Sequence, residues 1–263
     1  MGIMIFLKPL KSISVVAKAG LISLLIVGLA GCSTGETDKL TRIALLAPFE
    51  GRYREIGYDA FYAAHLAFQD SGRSDIELLA VDDGGSVDSA VERARALTRD
   101  PLVQAVIVLG YNASDEAVQV AFGDLSVIIV GNWQVESQSE NILMLTDPNI
   151  RTLLSHNRRL DVTDAARVEA PFVGGDVFAL RGFRNLRADL SGITVISSGR
   201  LPDEAFRNRI IDLFSFSVEP SILAADVYEA FRIAIEATQN KTPTITHFAY
   251  NSNRELIPND PIK

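Results

Sequence analysis

One cysteine, one tryptophan, three methionines and three histidines are all that 263 residues hold of these types. A lone Cys32 excludes an intrachain disulfide and a thiolate metal cluster. His65, His156 and His247 stand far apart and lack the spacing of metal ligands. The chain has no G-x-S-x-G elbow, no H-E-x-x-H helix, no phosphate-binding P-loop and no G-x-G-x-x-G turn. No constellation for bond-making chemistry is therefore in view, and neither an enzymatic activity, a metal nor a cofactor is expected. A basic excess is also missing: the formal charge is −8. So acidic a chain is poorly matched to nucleic acid or to anionic lipid surfaces, which leaves small solutes and other proteins as partners. With 48 % apolar residues and scattered charge, it is not a disordered polymer.

What the N-terminus does contain is ordered. Lys8, Lys11 and Lys18 come first, with no acidic residue among them. The apolar stretch Leu21-Ile22-Ser23-Leu24-Leu25-Ile26-Val27 follows, and then the small residues Gly28, Ala30 and Gly31. These are the three regions of an export signal, and the apolar core is shorter than the roughly 20 residues that a spanning helix needs. Leu29-Ala30-Gly31-Cys32 resembles a bacterial lipobox, in which the cysteine is lipidated and becomes the mature N-terminus. On this reading residues 1–31 are a lipoprotein signal peptide and Cys32 carries the lipid anchor, palmitate included. The protein is then held in the cell envelope, facing the periplasm or the exterior. Losing the three lysines with the signal moves the formal charge from −8 to −11.

Residues 32–41 are small and polar, a flexible spacer. Strand-length apolar runs then alternate with segments of helical period. The runs are Ile43–Ala47, Ile76–Val81, Ala105–Leu109 and Val127–Val130. The helices are Tyr58–Phe68, a stretch capped by Ser86 with Val87, Ala90, Val91, Ala94 and Leu97 on one face, and Ser114–Phe122. Strands apolar throughout and separated by helices imply an α/β fold with a parallel sheet covered on both faces. Residues 148–170 are polar and read as a connection. Beyond them come the run Pro171–Asp176, a helix over Phe178–Leu186, a strand over Ile193–Ile196, helices near Glu204–Phe214 and Ile222–Thr238, and a hairpin over His247–Pro258.

Ile43-Ala44-Leu45-Leu46-Ala47-Pro48-Phe49-Glu50-Gly51, with Gly57, the following helix, and Ile76-Glu77-Leu78-Leu79-Ala80-Val81-Asp82-Asp83-Gly84-Gly85, resembles the first lobe of type I periplasmic solute-binding proteins. The branch most similar is the Leu/Ile/Val (branched-chain amino acid) binding lipoproteins of ABC importers. Pro171–Asp176, Gly192–Gly199, Ala205-Phe206 and Ala225–Ala230 resemble the second-lobe and return-helix segments of that branch. The resemblance implies a first α/β lobe over 42–147, a reduced second lobe over 148–219, and a return helix with a C-terminal hairpin over 220–263. It also implies that several strand and helix units found in the family are missing between the two regions.

The family holds its ligand between the lobes, which close on it by a hinge. Residue by residue, the hydroxyl that meets a ligand carboxylate falls on Ser114, beside Asn112. Either residue could instead simply cap the helix that follows. Asn132, Trp133 and Gln134 follow the fourth strand where the family has small and hydroxyl residues. Trp133 either walls the cleft or packs in the core. Asp176 falls where the family places the acid that pairs the ligand's ammonium, or it is an exposed loop acid. Ile56 falls on an apolar cleft position, Tyr53 lies in the loop before it, and Tyr228 reads as packing on the return helix. The implied function is a lipid-anchored solute-binding protein that captures an amino acid or similar small polar molecule for an ABC permease. The alternative, from a different class, is a lipoprotein interaction module on the same scaffold, without a small ligand, that acts for example on cell-wall synthesis.

Overall fold

The computed structural model describes residues 40–131, 135–145, 167, 169, 171–197, 199, 201–214, 219–239, 247–250 and 256–259. Five parallel strands form the main sheet: β1 (Thr41–Ala47), β2 (Ile76–Asp82), β3 (Val103–Val108), β4 (Ser126–Val130) and β5 (Ile142–Leu145), in the spatial order β2-β1-β3-β4-β5. Ile43 through Ala47 are wholly buried, as a central strand covered on both faces requires. The first four strands stand where the apolar runs put them. The fifth, Ile-Leu-Met-Leu, was not foreseen: it is short, only its two end residues are buried, and it lies at the sheet edge.

Helix α1 (Arg54–Ser71) joins β1 to β2, α2 (Val87–Arg99) joins β2 to β3, and α3 (Glu116–Ala121) joins β3 to β4. The connection β1 to β2 runs one way along the sheet, and β2 to β3 and β3 to β4 run the other. Right-handed crossovers therefore put α1 on one face and α2 with α3 on the opposite one. Helix α1 ends at Gly72, whose φ of 62° is a left-handed cap. Ser86 caps α2 by accepting from the Ser89 N–H at 3.2 Å, as the sequence suggested.

The chain after β5 forms a smaller unit that stays within the one compact body of Leu40–Lys263. Strands β6 (Phe172–Gly174) and β7 (Ile193–Val195) pair in parallel, with a 3-10 turn over Asp176–Ala179, helix α4 (Arg181–Leu186) and helix α5 (Glu204–Leu213). The single helix expected over Phe178–Leu186 is thus two pieces, interrupted at Leu180, which is extended (ψ 146°). Helix α6 (Ala224–Gln239) then returns to the main sheet. It packs along α1 and against β1, β3 and β4, so these two helices share a face. Val227, Ala230 and Phe231 of α6 are completely buried there. Strands β8 (His247–Tyr250) and β9 (Leu256–Asn259) pair antiparallel, the hairpin expected at the end of the chain. The stretch 148–170 lies outside the described residues except at 167 and 169, and residues 1–39, including Cys32, lie outside them too. Among the described residues no helix is long and apolar enough to cross a membrane.

The start of α1 is tied closely to the loop after β1. A Cβ added at Gly57 would stand 2.2 Å from the Pro48 carbonyl oxygen, a distance that only backbone movement relieves. Gly57→Ala should lower stability by about 1–3 kcal/mol, read as a lower midpoint in urea denaturation with an unchanged slope. An unchanged midpoint would show that the loop after β1 moves freely.

Candidate functional site

In an open parallel sheet, ligands sit beyond the carboxyl ends of the strands where neighbouring connections diverge. Here that point lies between β1 and β3. The connection from β1 leads to one side and that from β3 to the other. Its walls are residues 48–53 after β1 and 109–114 after β3.

Both loops are held from β2. Asp82 Oδ1 accepts from the backbone N–H of Phe49 at 2.6 Å and of Glu50 at 3.1 Å, and its Oδ2 accepts from Gly84 at 2.8 Å. Asp83 is buried. Its Oδ1 accepts from the Gly85 N–H at 2.8 Å, and the Asn112 side chain also hydrogen-bonds to it. Burial raises the Asp83 pKa, opposed by these two hydrogen bonds, with Asp82 close by adding to the rise. Gly110, at φ 99°, brings the second loop against Pro48: an added Cβ would stand 3.0 Å from its Cδ. The rings of Tyr53 and Tyr111 meet across the two loops nearly at right angles, with centroids 5.7 Å apart. Both tyrosines are half-buried.

The residues expected to bind ligand have the following places. Tyr53 lies at the start of α1 on the rim of this site. Ile56 is in the core, 3 % exposed. Asn112 is half-buried and turned to Asp83. Ser114 is 0 % exposed, and its hydroxyl donates to the Gly110 carbonyl at 2.7 Å. Its N–H donates to the same oxygen at 3.1 Å, so neither group faces outward as the sequence reading required. Nor does Ser114 or Asn112 cap a helix. That helix begins at Glu116, and its cap is Asp115, which accepts from the Ala117 N–H at 3.0 Å. The cause is local: residues 110–114 close a turn of their own, and the next residue able to cap is Asp115. Trp133 and Gln134 lie outside the described residues, as do Asn132 and Cys32. Asp176 is buried, 2 % exposed, not a solvated loop acid. Gly174 before it serves packing, since an added Cβ would meet the Phe178 ring at 2.2 Å.

A few residues beyond Asp176, the start of α4 is tied to α1 by Glu55, for which the sequence gives no signal. Glu55 sits in the first turn of α1, just past the loop after β1. Its Oε1 accepts from the Arg181 N–H at 2.8 Å and from the Arg181 Nε at 3.1 Å, and its Oε2 accepts from the Gly182 N–H at 2.9 Å. One carboxylate thereby satisfies the two leading N–H groups of α4 and pairs a guanidinium. Further along α1, Asp59 accepts from the Ser221 N–H at 3.1 Å. Asp70 accepts from the Tyr228 hydroxyl at 2.6 Å and from Arg209. Tyr62 and His65 pack on Phe214 with ring centroids 4.7 and 5.6 Å apart. The signal for Asp59 was present in the sequence: it lies one helical turn from both Ile56 and Ala63, an acid on the apolar stripe. Gln119 was also missed. It is buried, donates to the Ser114 carbonyl at 3.0 Å and accepts from the Gln138 N–H at 3.1 Å, tying the segment before β5 to the loop after β3.

Among the described residues no group of three or more His, Cys, Asp or Glu could hold a metal ion. No protein-family model matches the sequence, and no curated protein does. Solved structures do match. An extracellular ligand-binding receptor from Desulfohalobium retbaense superposes at a TM-score of 0.62 with 16% identity, over 77% of this chain and 51% of that one. The branched-chain amino acid transporter substrate-binding protein LivJ from Streptococcus pneumoniae, solved with isoleucine, gives 0.59 and 14% over 84% and 94%. An ABC-transporter solute-binding protein from R. palustris, solved with benzoate, gives 0.54 and 11% over 83% and 91%. This chain spans about half the length of the Desulfohalobium receptor. The likeness is one of fold: the chain has the type I periplasmic-binding-protein architecture, an α/β parallel sheet flanked by helices.

Replacing Glu55 with Ala leaves the Arg181 and Gly182 N–H groups without their acceptor. The loss should be about 1.5–3 kcal/mol, the range for hydrogen bonds to a charged group. Glu55→Gln should lose less, because an amide oxygen still accepts. Chemical denaturation of the two variants gives the ordering, and equal stabilities of both with the parent would remove Glu55 from this role.

Proposed function

We propose that this chain, built on the type I periplasmic-binding fold, is an extracytoplasmic solute-binding protein of an ABC importer. It captures an amino acid or similar small polar molecule between its two units and delivers it to a membrane permease. No bond is made or broken, and the work lies in a closed state favoured by a ligand that touches both units. The observation that carries the reading is the strand-order switch between β1 and β3. Tyr53 and Tyr111 are half-buried on its two loops, and Glu55 draws the Asp176 turn to the same end of the sheet. The tyrosines offer flat apolar faces with polar tips. Ser114 would serve a ligand carboxylate only after the 110–114 turn opens, and Trp133 with Gln134, next in sequence after β4, are the remaining candidates. Cys32 supplies the lipid that keeps the module at the membrane surface.

The burial of Ser114, Ile56 and Asp176 favours a second reading. A scaffold whose candidate ligand groups are already committed inside the protein suits an interaction module that acts through its surface, for example on cell-wall synthesis.

Thermal unfolding of the full-length chain in mild detergent, against a panel of amino acids, amides and small organic acids, separates the two. A ligand at about 100 times its dissociation constant should add roughly 2.7 kcal/mol to stability. Tyr53→Ala should reduce that response without abolishing folding. A folded protein with no response to any compound supports the interaction module and defeats the solute-binding reading. Cys32→Ala should end palmitate incorporation and release the chain from membranes in a fractionation assay. A variant that stays labelled and sedimenting would disprove the anchor.

A further inference from the structure

Asp59 lies on the seam where α1 meets the chain returning from the smaller unit to α6. It is 3 % exposed. Oδ2 accepts from the Ser221 N–H at 3.1 Å, and the Ser221 side chain also hydrogen-bonds to the carboxyl, whereas Oδ1 is buried with no hydrogen-bond partner. A fully charged carboxylate in that position would be under-solvated and one turn from a second carboxylate, Glu55. We propose that Asp59 is a proton-operated latch on this seam: neutral, it holds α1 shut against the lead-in to α6, and ionised, it loosens that contact so that water reaches the carboxylate.

The groups around Asp59 set the balance. On its own helix, Glu55 adds repulsion, and the Tyr62 phenol one turn on is coupled to it as well. From the start of α4, Arg181 attracts it, but that guanidinium is already paired with Glu55 at 3.1 Å. From the lead-in come the Ser221 donors, while Glu219 nearby pairs with Arg207 at 3.1 Å. On α6 the nearest titratable residue in sequence is Asp226, also buried and another acid. Among the described residues nothing cationic other than Arg181 is coupled to Asp59, and desolvation dominates, raising its pKa to about 7.

The direction of the pH effect follows from proton counting. Between the ordinary carboxylate pKa and about 7, the closed seam binds a proton that the opened seam releases. Opening therefore becomes easier as pH rises through this window, by up to about tenfold per unit, and levels off above it. His65, whose burial lowers its pKa, acts oppositely by weakening the fold as pH falls below its usual 6.5. Asp83, raised by burial, acts in the same direction as Asp59 from a different loop. Both remain in a variant changed only at position 59, so the difference from the parent isolates Asp59.

The test is amide hydrogen exchange of Ser221 in the full-length chain from pH 5 to 8, corrected for intrinsic rates. In the parent, protection should fall by up to about tenfold per unit up to about pH 7 and then flatten. In Asp59→Asn the fall should be clearly shallower, keeping only what His65 and Asp83 contribute. Equal pH slopes in parent and variant would overturn the proposal. Carboxyl-carbon NMR of aspartate-labelled parent decides the matter even if the variant fails to fold: Asp59 should titrate near 7, and titration at 3 to 4.5 would end the latch.

Discussion

The start of α4 is tied to α1 by one carboxylate. Glu55 lies in the first turn of α1 and supplies the acceptor that both leading N–H groups of α4 need, while neutralising Arg181. Without it, half-buried Arg181 and exposed Gly182 would exchange a charged acceptor for water. With it, the ends of two helices far apart in sequence are joined, and the 3-10 turn carrying Asp176 comes to the carboxyl end of the main sheet. The apolar contribution is larger in area but less selective. Val177, Phe178, Leu180 and Phe183 are all buried in the same core cluster as the sheet, yet apolar packing alone does not fix which end of the sheet they cover.

Helix α1 consequently serves two roles. One stripe, with Ile56, Ala60, Ala63, Ala64 and Ala67, lies in the core beneath the sheet. Polar side chains on the same helix, Glu55, Asp59 and Asp70, accept from α4, the α6 lead-in and the α5–α6 pair. Small alanines on the stripe let α6 approach closely, and the acids set where the rest of the chain attaches. For the proposed role as a hinged binding protein, such attachments must be few or reversible. Two of these three are reversible in principle: Asp70 is an exposed pair with Arg209, of modest worth, and Asp59 is a buried carboxyl poised to gain or lose a proton.

Much of the main sheet was legible in the sequence because its strands are buried on both faces and so read as unbroken apolar runs. Ile43–Ala47 and Val127–Val130 are examples. Ser86 was readable as a cap for the same local reason. The edge strand Ile142–Leu145 was not, since an edge strand needs no such run. The loop at 110–114 was misread because a serine after a strand is a good cap in isolation. The competing hydrogen bonds of its own turn, to the Gly110 carbonyl, decided otherwise. Glu55 and Gln119 were invisible for a more general reason: their partners, Arg181, Gly182 and Gln138, are set by tertiary contact rather than by sequence spacing. Asp59 was visible in principle, as an acid on an apolar stripe.

The return helix α6 imposes an order on the birth of the molecule. The sheet's five strands are complete by Leu145, but part of one face stays uncovered until Ala224–Gln239 has emerged and folded back on β1, β3 and β4. A chain emerging from its amino end at roughly 5–20 residues per second exposes that face for several seconds. Contacts between such distant segments also make for slow closure. The unfinished sheet is therefore held back from a stable native state for most of synthesis.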